Sequence, residues 1–204
     1  MATVTGTARK TLSPMRTFDP VKVGRYEKEN WVAYYQKRWL RLMRVSVGMV
    51  RHAFGLNLVQ AVYAAYLVAR AEIAAAPFPD NDIPKAEATM RRFYTFIKGV
   101  HHEDFDPSEA ARLDVNWWVV HRHLFGQTEN EPLIDALAKF YAATYRVPVE
   151  SVRRAAYHRA QAMLHSDRWI NEGKRPDSPL LDQEEEELIK SYAALREAVS
   201  VEAR

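Results

Sequence analysis

Asp106-Pro107-Ser108-Glu109-Ala110-Ala111-Arg112-Leu113-Asp114-Val115-Asn116-Trp117-Trp118-Val119-Val120-His121-Arg122-His123-Leu124-Phe125-Gly126 reads as a helix from its first residue to its last. Asp106 supplies a side-chain acceptor for free backbone N–H groups, Pro107 fits the first turn, and Glu109 completes the pattern of a capping box. A helix advances about 100° per residue, so Ala110, Leu113, Trp117, Val120 and Leu124 fall on one side as a core stripe. Gly126 then ends it.

The same punctuation recurs in both directions. Asp19-Pro20 opens a helix, and with no proline after Arg25 the spacing predicts one long helix to about Phe54, stopped by Gly55 and bent at Gly48. A second runs from Leu58 to Ala76 and ends in Pro77-Phe78-Pro79-Asp80-Asn81-Asp82. Pro84 begins a third that reaches His102, and Pro132 a fifth that reaches Tyr145. Pro148 starts a sixth that runs to Glu172 and Gly173. A Pro-rich linker then leads to a seventh, whose early acids Asp182 and Glu184 to Glu187 suit the positive end of the helix dipole. Its residues Leu188, Ile189, Tyr192, Leu195 and Val199 mark one apolar face. No segment alternates with a period of two, and no repeat of solenoid length is present. The expected fold is all-α: a single-domain helical bundle of six to seven helices over residues 19–204, with residues 1–18 as an extended basic arm.

Composition narrows function mainly by exclusion. The chain has 204 residues, of which 48% are hydrophobic, enough to bury one core. Its 29 Lys and Arg against 26 Asp and Glu give a formal charge of +3, below the basic density of a dedicated nucleic-acid binder. With no cysteine, there are no disulfides, thiolate metal sites or cysteine nucleophiles. Leu58 to Ala76 is the most apolar stretch, but Gln60, Arg70 and Glu72 interrupt it, so it reads as the central core helix and not as a membrane span. The first residues lack a secretory pattern, and a cytoplasmic protein is expected.

Candidate chemistry gathers on three helices. Asp114 and His121 lie together at the border of their stripe, as an acid–base pair, a pair of ligands or a structural pair. On the sixth helix His158, His165 and Trp169 share a face almost opposite the core stripe, beside Ala155 and Ala162, which calls for contact with another helix, a second subunit or a ligand. Asp167 falls on the core stripe itself, where a cap or an ion pair would satisfy it. On the first helix Arg38 and His52 align with Tyr34, Leu42, Val45 and Met49 and are expected to point inward, with Asp114, Asp167 or an anionic ligand as partner for Arg38. Lys37, Arg41, Arg44 and Arg51 form a separate basic stripe. Tyr34, Tyr35, Tyr63, Tyr66, Trp117 and Trp118 could line an aromatic site.

No histidine has an acid three or four residues before it, which argues against a carboxylate-bridged di-metal bundle. Phosphate loops, dinucleotide fingerprints and nucleophile elbows are absent. Three readings follow in order. The first is a non-enzymatic, homo-oligomeric binding protein with an aromatic-lined site, formed by Arg38, His52, Tyr34, Tyr63, Tyr66 and Trp117, for a small apolar or aromatic ligand or a partner. The second is a histidine-dependent enzyme, using metal, haem or acid–base chemistry through His121, Asp114, His158 and His165. The third, ranked last, is a nucleic-acid or membrane-surface binder that uses the basic stripe. No cofactor is named by any motif.

Overall fold

A computed structural model describes residues 12–200. Among these, a 3-10 turn at Pro14–Arg16 is followed by eight α-helices and no strand: α1 Pro20–Tyr35, α2 Trp39–Phe54, α3 Leu58–Ala75, α4 Ile83–His101, α5 Pro107–His123, α6 Glu131–Tyr145, α7 Val149–Asn171 and α8 Pro179–Val199. The all-helical class is as expected, with eight helices in place of six or seven.

The extra helix comes from a break in the first. Lys37 takes a left-handed conformation with φ 57, and the Arg38 N–H donates to the Ala33 carbonyl, closing a helix end of the Schellman type without glycine. A helix from Arg25 to Phe54 would be about 45 Å long at 1.5 Å per residue, far longer than its neighbours. Folding back as a hairpin lets both halves bury a face. Asn30 accepts a hydrogen bond from Ser46 across the hairpin, and Tyr26 stacks on His52 at 5.4 Å. α2 continues through Gly48, which serves packing and not bending: a Cβ there would collide with the Tyr26 ring.

Each helix packs on the next in the chain and α8 returns to α1, closing the bundle, with α7 and α8 in the most extensive contact. α7 is the most deeply set helix, burying residues on both of its faces from Val152 to Trp169. Residues 1–11 of the expected arm lie outside the described residues. The remainder is seated in the core: Met15 and Phe18 are buried, and Arg16 donates to Glu103 and to the Tyr145 carbonyl.

α3 departs most from expectation. It is peripheral and not central. Its buried face is made of Ala61, Ala64, Ala65, Leu67, Ala71, Ala74 and Ala75, while Leu58, Val59, Val62, Tyr63, Tyr66 and Ile73 are exposed. It is long and apolar enough to cross a membrane by length and composition.

Candidate functional site

The residues expected to act together fall in three places. The first is the bundle centre, where α1, α4, α5, α6, α7 and α8 each contribute a polar side chain. Arg159 on α7 pairs with Glu27 on α1 at 2.5 Å, donates to Tyr192 Oη at 3.1 Å, and lies 5.0 Å from the centre of the Trp117 ring. Tyr192 donates a short hydrogen bond to Glu27. Beside this group Asp114 accepts from Tyr94 Oη at 2.7 Å and from Trp117 Nε1 at 2.8 Å. Burial pushes Asp114 up to about 6, against the pull of those two hydrogen bonds and of the Arg159 charge. The Trp117 ring is thus committed on its face to Arg159 and at its N–H to Asp114. Most polar groups of the centre are paired with one another, Arg159 Nε being left without a partner.

Asp114 and His121 share a helix but not a bond. His121 Nε2 faces Asp167 on α7 at 3.2 Å, and Asp167 also accepts from the Gly126 N–H at 2.8 Å. A ring backed by a carboxylate is the arrangement acid–base chemistry uses. Here the same carboxylate also ties the turn after α5 to α7. Glu184 on α8 is fully buried, and neither of its carboxylate oxygens has a hydrogen-bond partner. Burial first, and then the charges of Glu27 and Asp167, push it well above the usual carboxylate range. Burial and the nearby Tyr34 and Asp167 raise Tyr35 to about 12.

The second place is the α7–α8 seam. His158 Nδ1 bonds Glu187 at 2.7 Å. His165, its Nδ1 without a partner, is held below the usual histidine range by burial and then by Arg168. The second face of α7 is covered within the chain. Ser191 donates to the Ala155 carbonyl, and Trp169 is wholly buried, packs edge-on to Tyr35 and donates from Nε1 to the Arg175 carbonyl at 2.8 Å. His121 therefore stands apart from His158 and His165, which share the α7–α8 seam near Glu187. Among the described residues no group of three or more His, Asp and Glu is placed to hold a metal ion.

The third place is the outside of α2 and α3. Arg38, expected inside, is exposed at the start of α2, because the break at Lys37 turns this residue out of the helix it was assigned to. The buried arginine is Arg159 instead. His52 is half-buried against Tyr26, and burial followed by Lys22 and Arg51 lowers its pKa. Tyr34, Tyr63 and Tyr66 are exposed; Tyr34 meets Trp39 edge-on, and Tyr63 meets Phe96 of α4 at 5.1 Å. Around them Leu40, Met43, Leu58, Val59, Val62, Ile73 and Phe78 are exposed as well, Leu40 at 83% and Val59 at 80%. Of the basic stripe, Arg41 pairs with Glu29, while Lys37, Arg44 and Arg51 are exposed. Glu72 shares the wheel position of Ala61, Ala65 and Val68, at the margin between the buried and outward sides of α3, and is exposed. α3 presents Arg70 and Glu72 at the margins of its large exposed apolar side chains.

Glu27, Arg159 and Glu184 were missed as site residues, although each stands at a core position. Glu27 follows Val23 by four, Arg159 follows Ala156 by three and precedes Met163 by four, and Glu184 follows Leu181 by three and precedes Leu188 by four. A charged residue inside an apolar stripe was the available signal. Comparison with protein-family models, with curated proteins and with solved structures finds no match for this chain.

Proposed function

We propose that this chain is a binding protein whose working surface is the apolar face of α2 and α3. The observation that carries the reading is the inversion of α3, which turns alanines to the core and Val59, Val62, Tyr66 and Ile73 to the outside. With Trp39, Leu40, Met43, Leu58, Tyr63 and Phe78, these side chains leave on the order of 1000 Å² of apolar surface open, taking about 150–250 Å² for a whole large side chain. The largest apolar patch of an ordinary monomer is about 300–600 Å². A standard interface covers about 800 Å² on each partner. The bundle centre offers less, since most of the polar groups around Arg159 and Asp114 are engaged with one another.

Native mass spectrometry of gently purified protein tests the reading. The expected spectrum carries the 23.6 kDa chain together with an occupant, and Val59→Glu or Ile73→Glu removes the occupant while far-ultraviolet circular dichroism is unchanged. Bare chain from parent and variants alike would refute it.

A further inference from the structure

We infer that the occupant of this face is a second copy of the chain, packed α3 against α3 in antiparallel orientation about a two-fold axis beside Tyr66 and Ala69. The inference deepens the binding role proposed above and depends on it.

Along the middle of the exposed side of α3 and its capping residue, between margins where Leu58, Tyr63, Arg70 and Glu72 are exposed, run Val59, Val62, Tyr66, Ala69, Ile73 and Ala76. Their separations alternate between three and four, the spacing of the a and d positions of a heptad, which keeps one seam facing a partner helix. The register is also self-complementary. A two-fold axis at the middle of the seam sets Val59 opposite the partner's Ala76, Val62 opposite the partner's Ile73, and Tyr66 opposite the partner's Ala69. Each pairing occurs twice, as a symmetric interface demands. Two of the three layers match a large side chain to an alanine, so the notches of one helix receive the knobs of the other.

The flanks agree with this arrangement. Arg70 falls beside the partner's Tyr63, where a guanidinium can lie on an aromatic face. Glu72 is exposed at the other margin, where the two-fold sets no like charge against it. Leu40, Met43 and Trp39 of α2 extend the contact along one margin, and the open apolar area exceeds what each partner of a standard interface covers. A fluid lipid surface, favoured by apolar area and by the nearby Arg44 and Arg51, has no use for the pairing of large side chains with alanines.

The test uses the full chain, which has no cysteine to cross-link it artefactually. Light scattering during size exclusion and sedimentation equilibrium are expected to give a dimer for the parent. Val62→Glu and Ile73→Lys, both at exposed positions, should each raise the dissociation constant by about 100-fold or more, because a charge is buried without a partner. The doubly substituted chain, Val62→Glu with Ile73→Lys, should recover the dimer, since the two-fold sets each glutamate against a lysine. Failure of the double variant to recover overturns the antiparallel register. A monomeric parent overturns the dimer. If that monomer sediments with vesicles of phosphatidylglycerol and phosphatidylcholine and Val62→Glu abolishes this, the face binds lipid: the inference fails and the binding role stands. A monomer that ignores the vesicles and flies bare in the native spectrum removes both.

Discussion

Glu184 lies on the buried face of α8 between Leu181 and Leu188, and neither of its oxygens has a donor within reach. An ionised carboxylate without partners is costly to bury, so the folded chain holds this group protonated over a range where the unfolded chain does not. The ordinary value is 4.5 and the folded value lies well above it, so above pH 4.5 the native state binds a proton that the unfolded state has lost. Stability therefore falls as pH rises from that point until the folded group itself titrates. Glu184→Gln keeps the shape and removes the titration. The difference in melting temperature, variant minus parent, should grow in the variant's favour as pH is raised from 4.5 to 8. A difference that stays constant across those pH values would show that Glu184 does not titrate on folding. The sequence contained the clue, because Glu184 keeps the spacing of a core residue. Its place in a run of four glutamates made it look like a solvated helix start.

At the scale of the element, helix boundaries were legible where side-chain chemistry sets them. Asp19-Pro20 and Asp106-Pro107 open α1 and α5 with the aspartate accepting from backbone N–H groups, and Gly55 ends α2 in the left-handed conformation. Lys37 gave no such warning. It stands among good helix formers and is turned left-handed by tertiary contacts across the α1–α2 hairpin, which overrode local preference. Lys37→Gly removes the Cβ penalty of that conformation and should stabilise the fold by about 1 kcal/mol in denaturant melts. A loss of stability would mean that the lysine side chain itself holds the turn. The reading of α3 went astray for a different reason. Apolar residues surround that helix, so periodicity could not say which side faces inward, and the smaller side was the one that let α2 and α4 approach. Tyr63 and Tyr66 were recognised as site candidates, but their direction was not.

At the scale of the molecule, the Glu27–Arg159 pair joins the first helix to the seventh, and Tyr141, Tyr192 and Trp117 bind α6, α8 and α5 to the same guanidinium. No local spacing could reveal it, since the partners lie 132 residues apart in the chain. Both groups are buried, so their mutual attraction is weighed against the loss of hydration for each, and the pair need not stabilise the fold more than a well-packed apolar pair would. The asymmetry lies in breaking it. Glu27→Leu strands the Arg159 charge among aromatic rings and should cost about 3–5 kcal/mol, and Arg159→Met strands Glu27 at a similar cost. Replacing both should cost well under the sum of the two, and a double-mutant cycle from urea melts should give a coupling of at least about 2 kcal/mol. Additive losses would mean that Glu27 and Arg159 act through separate neighbours. The bundle would then be closed by the apolar contacts of Val32, Trp169 and Leu181 between α1, α7 and α8.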